Sequence, residues 1–192
     1  MKKSITYKTS VTGLSIALII LWQLIGKILP TGLIIAGPFS FNQLITGSLV
    51  NMTLILLTLQ IGLFPAITSG IVSSVLAMFL QIGPIFPQLV LFIAISNIIL
   101  VTVIYFFSYL SKKTTNKKIY NVILLFLSII IAACFKFIFL KFTIPFSFKL
   151  INNISVIQTN VLSFMFSWPQ LFTALTGGFL ALFANKFFTK LK

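Results

Sequence analysis

The chain has 192 residues, 59% of them hydrophobic, and a mean hydropathy of +1.17, where soluble domains sit at roughly 45–50% apolar. All 14 basic residues are lysines, with no Asp, Glu or His, so the usual acid–base groups and most metal donors are missing, and no glycine loop for ATP is present. These facts exclude a soluble enzyme and a resident metal or cofactor, and predict a single-domain, all-α integral membrane bundle.

A membrane helix needs about 20 mostly apolar residues, and six such runs follow one another. The first spans 9–29 and ends before Pro30. It is too long for a typical signal-peptide core and no small-residue cleavage site follows it. The second spans 41–61. The third, 65–81, is diluted by Thr68, Ser69, Gly70, Ser73 and Ser74. The fourth spans 87–110 and the fifth 120–142, the latter with Cys134 read as a small core residue. The sixth spans 168–188, with Pro169 suited to a first helical turn.

Lysine placement sets the orientation. Lys2, Lys3 and Lys8 precede the first helix. Lys112, Lys113, Lys117 and Lys118 lie between the fourth and fifth, and Lys186, Lys190 and Lys192 end the chain. Six passes with both termini cytoplasmic put all ten on one side, in a multi-pass protein of a bacterial plasma membrane. This account of the charge leaves no need for a nucleic acid partner. The outward connections are then 30–40, 82–86 and a long one, 143–167, expected to carry a short surface helix or a cap.

Polar residues collect in the outer half. Asn51 and Asn97 fall near the middle of their helices, with Gln23, Lys27, Asn42, Gln43, Gln88, Lys136, Trp168 and Gln170 further out. Asn and Gln also bridge helices, and Trp22 and Trp168 suit an interface belt. Lys136 lies about 24 Å along a core of about 30 Å. It can snorkel to the interface or point inward, with Ala132 and Ala133 leaving room beside it. Inward, it meets backbone carbonyls, Asn or Gln oxygens, or an anionic or carbonyl group of a ligand, or it stands as a neutral amine. The candidate substrate site is Lys136, Asn97, Asn51, Gln88, Trp168 and Gln170.

Small residues form stripes that let backbones approach. Ala66, Gly70, Ser73, Ser74 and Ala77 recur along the third helix, and Gly177 and Gly178 adjoin in the sixth. At the cytoplasmic end of the first helix, Gly13 and Ala17 lie one turn apart. They make a candidate flat face for a protein partner.

The layout resembles the substrate-binding S subunits of energy-coupling factor (ECF) vitamin transporters. It shares about 190 residues, six helices, cytoplasmic termini and a small-xxx-small patch low in the first helix. The segments Gly47-Ser-Leu-Val-Asn51, Phe92-Ile-Ala-Ile-Ser-Asn97 and Trp168-Pro-Gln-Leu-Phe-Thr-Ala-Leu-Thr-Gly-Gly178 are similar to those of Clostridium-type members of unassigned substrate. The resemblance implies a subunit that binds a vitamin or its precursor near the outer face. It also implies docking through the first helices onto a transmembrane coupling subunit that carries two cytoplasmic ATPases. The family patch is usually Ala-x-x-x-Ala, and here Gly13 takes its first position. Without carboxylates or His the usual proton relays are missing, which fits an importer energised by another chain. A membrane scaffold or assembly factor and a self-contained facilitator are the alternatives. A scaffold does not need the outer polar cluster, and a facilitator needs a continuous polar path.

Overall fold

The computed structural model describes residues 4–29, 34–36, 39–82, 87–114, 118–149 and 156–190. It is an all-helical bundle of six helices with one short hairpin. The elements are α1 Ile5–Ile28, β1 Ile34–Ala36, β2 Phe39–Ser40, α2 Phe41–Gln60, α3 Leu63–Phe79, α4 Pro87–Thr114, α5 Lys118–Lys149 and α6 Val156–Lys190. By length and composition α1, α2, α4 and α5 can each cross a membrane, and α3 is a shorter apolar helix.

Local chemistry explains the helix ends. Ser4 caps α1 by accepting from the Tyr7 amide, satisfying a donor that the first turn leaves open. Gly62 joins α2 to α3 at φ 129°, a conformation side chains rarely allow, and its amide closes back on the Leu57 carbonyl. Pro87 opens α4, where its missing N–H costs nothing. Between α1 and α2 the described residues form an antiparallel pair, Ile34 opposite Ser40 and Ala36 opposite Phe39.

Two expectations fail at the far end of the chain. Pro169 is not in a first turn, because α6 begins at Val156 and carries it internally. The 143–167 segment is not a long loop either. α5 runs through Pro145 to Lys149 and α6 starts at Val156, with 150–155 outside the described residues. At 1.5 Å per residue these helices are about 48 and 52 Å long, so both extend beyond a hydrocarbon core of about 30 Å.

The helices pack as a ring. α1 contacts α2 and α3, α2 contacts α6, α6 contacts α5, α5 contacts α4, and α4 contacts α3. α2 also reaches α3 and α4 across the interior. Half of its apolar span is buried, against 17% of the α1 span, so α2 is the central strut and α1 the most peripheral helix. Glycines set the close approaches. A Cβ on Gly177 would stand 2.8 Å from Asn51 Cβ and 2.9 Å from the Met52 amide nitrogen, and closer still to the Ser48 carbonyl. Gly178 meets Ile129 of α5 in the same way.

The distribution of side chains is that of a membrane protein. Leu14, Phe64, Phe79, Leu91, Phe106, Phe135, Phe142 and Phe183 lie outside, while Gln23, Asn51, Asn97, Lys136, Ser73 and Thr173 lie inside. In water such an apolar surface would drive association; against lipid tails it is the solvated face. Cys134 is exposed, which corrects its reading as a core residue. It lies two residues, about 200° of helix rotation, from the buried Lys136.

Candidate functional site

The site is built around one buried lysine. Lys136 is 1% exposed and does not snorkel. Its Nζ donates to Asn51 Oδ1 at 2.9 Å and to Asn97 Oδ1 at 2.8 Å, which ties α5 to α2 and α4. The amide nitrogens of both asparagines are used in turn. Asn51 Nδ2 donates to Thr173 Oγ1 of α6 at 3.2 Å. Asn97 Nδ2 donates to Ser74 Oγ at 3.2 Å and to the Gly70 carbonyl at 3.3 Å, both on α3. Each amide is therefore oriented by its own helix partners so that its oxygen faces the lysine. A buried charge is costly without hydrogen-bonded partners, and here dipoles alone supply them.

Lys136, Asn51, Asn97 and Ser74 line one side of a cavity of about 110 Å³ to which all six helices contribute. α2 gives Gln43, Thr46, Gly47, Val50 and Asn51; α3 gives Ser73, Ser74 and Ala77. Gln23 of α1, Ile93 and Asn97 of α4, Lys136 of α5, and Phe166 and Gln170 of α6 complete the wall with Ile82. Gln23 Nε2 donates to the Ser73 carbonyl at 2.9 Å. Asn42 Nδ2 donates to the Gly26 carbonyl at 2.9 Å. A Cβ on Gly26 would strike Thr46, so glycine there lets α1 close against α2.

Of the six expected site residues, the fold brings Lys136, Asn97, Asn51 and Gln170 to this cavity. Gln88 and Trp168 do not line it. Gln88 is exposed, nine residues and about 180° around α4 from Asn97. Trp168 is about 200° from Gln170 on α6 and packs outside against Phe137, ring centroids 4.8 Å apart, and Phe164 at 6.2 Å. Ala132 and Ala133 do not line the cavity; both are fully buried in an apolar cluster with Ile129, Ala174 and Ala181. Trp22 is half-buried and donates to Thr53 Oγ1 at 3.2 Å, so it bridges helices rather than standing free in a belt.

The cavity wall also contains residues that the list of six omitted. Gln43, Gly47 and Val50 share one face of α2 with Asn51 by helical spacing, a signal present in the sequence. Ser73, Ser74 and Ala77 read as packing, and they pack while also lining the cavity.

A second, wider groove of about 780 Å³ lies at the opposite end, between Lys8, Thr9, Thr12, Gly13 and Ile16 of α1 and the 61–65 turn, with Thr68 and Tyr105. Gly13 and Ala17 are both exposed, and a Cβ on Gly13 would meet nothing within 4 Å. Between groove and cavity, Ile19, Leu54, Leu57, Ala66 and Val101 form a buried apolar cluster.

No family model, curated protein or solved structure matches this chain.

Proposed function

We propose that this chain is the substrate-binding subunit of an ATP-driven importer of the energy-coupling factor type, taking up a vitamin or vitamin precursor across a bacterial plasma membrane. The observation that carries the reading is the polar cavity lined by all six helices, with a buried cation at its wall. It is separated by an apolar plug from an exposed small-residue strip at the other end of α1. Binding and docking are thus at opposite ends of one molecule, as an importer energised by another chain requires. The substrate enters from the outer end. The Gly13–Ala17 strip receives a transmembrane coupling subunit carrying two ATPases.

The apolar plug argues against a self-contained facilitator, which needs a polar path from one cavity to the other. A pure scaffold has no use for a cation held by two amide oxygens at a cavity wall.

The test is co-expression of a tagged chain with a coupling subunit and its two ATPases. Gly13→Leu or Ala17→Leu is expected to stop co-purification of the complex. Ligand binding should survive, because neither residue lines the polar cavity. Unchanged co-purification in both variants would overturn the docking assignment.

A further inference from the structure

Among the described lysine side chains, Lys136 alone is buried; Lys8, Lys27, Lys113, Lys141 and Lys186 are exposed. An ammonium has three N–H donors, and two of those of Lys136 go to Asn51 and Asn97. Neither acceptor is charged, and the chain contains no Asp or Glu to serve as counter-ion. Across the same cavity, Gln23 is 3% exposed and its Oε1 has no hydrogen-bond partner. Its amide cannot usefully turn over, since that would set oxygen against the Ser73 carbonyl that Nε2 now meets. Thr46 Oγ1 is likewise buried without a partner. The cavity wall therefore carries a lysine amine with no counter-ion in the chain and an amide oxygen with no partner. Such orphaned groups are rare in a finished interior.

We propose that the occupant is a compact organic monoanion, a carboxylate that also carries an N–H or O–H donor. The carboxylate completes Lys136, and the donor meets Gln23 Oε1. The inference rests on the substrate-binding reading and names the chemical class. A phosphate ester carries about −1.5 to −2 charges at pH 7 and is typically gripped by Arg forks; one lysine and no Arg suit a single negative charge. The cavity of about 110 Å³ is comparable with the roughly 150 Å³ that admits a benzene, so the occupant is about one ring in size.

Three isosteric probes separate the contributions, each measured by calorimetry on the detergent-solubilised chain stripped of retained ligand. Pyrrole-2-carboxylate has charge and donor, furan-2-carboxylate only the charge, and pyrrole-2-carboxamide the donor without the charge. The first should bind, the second about fivefold more weakly for one neutral hydrogen bond lost, and the third at least tenfold more weakly. Asn97→Asp supplies Lys136 with an internal counter-ion. It should abolish carboxylate binding, and it should lower Tm, because the oxygen that replaces Nδ2 faces the Gly70 carbonyl. Equal affinity for the carboxamide, preference for inorganic phosphate, no binding of any probe, or retained affinity in a folded Asn97→Asp variant would each overturn the proposal. Mass spectrometry of molecules that co-purify separates the two readings. A neutral or cationic retained molecule would overturn the anion and leave the importer standing. A carboxylate retained by a chain that never assembles with ATPases would do the reverse.

Discussion

Lys136 is held by geometry that single residues can test. Asn97 joins three helices through one amide, giving its oxygen to Lys136 on α5 and its nitrogen to Ser74 and Gly70 on α3. Asn97→Leu keeps approximate volume and removes all three bonds. Losing a hydrogen bond to a charged group costs about 1.5–3 kcal/mol, so thermal unfolding in detergent should shift down by an amount of that order. An unchanged Tm would mean that Lys136 gains nothing from Asn97. The sequence made much of this site legible. Asn51, Asn97, Lys136 and Gln170 were polar residues at matching depth, and depth follows from residue count. Rotation around each helix was read less well. Gln88 and Trp168 have the right depth, but each lies on the far side of its helix from the residue that faces the cavity. Gln23 has the right depth and is buried by the fold, but depth alone does not say which way its helix face turns.

At the scale of elements, glycine position decides which helices touch. Gly177 lies against the α2 backbone at Ser48 and Met52, beside Asn51 of the cavity wall. Gly177→Ala forces that backbone to move, and overpacking of this kind costs about 1–3 kcal/mol. Lowered Tm together with weakened ligand binding is expected, since the shift displaces Asn51. Gly13→Ala, with open space around it, should leave Tm unchanged. Equal responses from the two variants would contradict the packing described here. Small-residue stripes announced these contacts in the sequence. The lengths of α5 and α6 were not announced, because proline at 145 and 169 and the polar run between them read as breaks. Helix nevertheless continues through both prolines, and neighbouring helices and side chains can satisfy backbone groups that a proline frees.

For the whole molecule, side and end must agree. α2 and α6 run parallel, as the contacts of Gly177 with Ser48 and the bond between Gln60 and Asn185 require. That places Lys186 at the same end as the 61–65 turn and Lys8, which line or adjoin the wide groove. Lys113, beyond Tyr105 on α4, belongs to the same end, while Lys27 and Lys141 belong to the other. In the proposed orientation, which follows the lysine bias, the groove end is cytoplasmic and the polar cavity faces outward. A single cysteine at Thr115, a position outside the described residues, placed in a Cys134→Ser background, should react with an impermeant reagent only after cells are permeabilised. Efficient labelling of intact cells would invert the molecule. On the proposed function Lys136 binds the substrate in that cavity, and one affinity decides whether it does. Lys136→Met keeps length and removes charge. With the co-purifying ligand re-added to stripped protein, it should weaken binding at least tenfold, about 1.4 kcal/mol, at undiminished expression. Affinity equal to that of the unmodified chain would contradict the account.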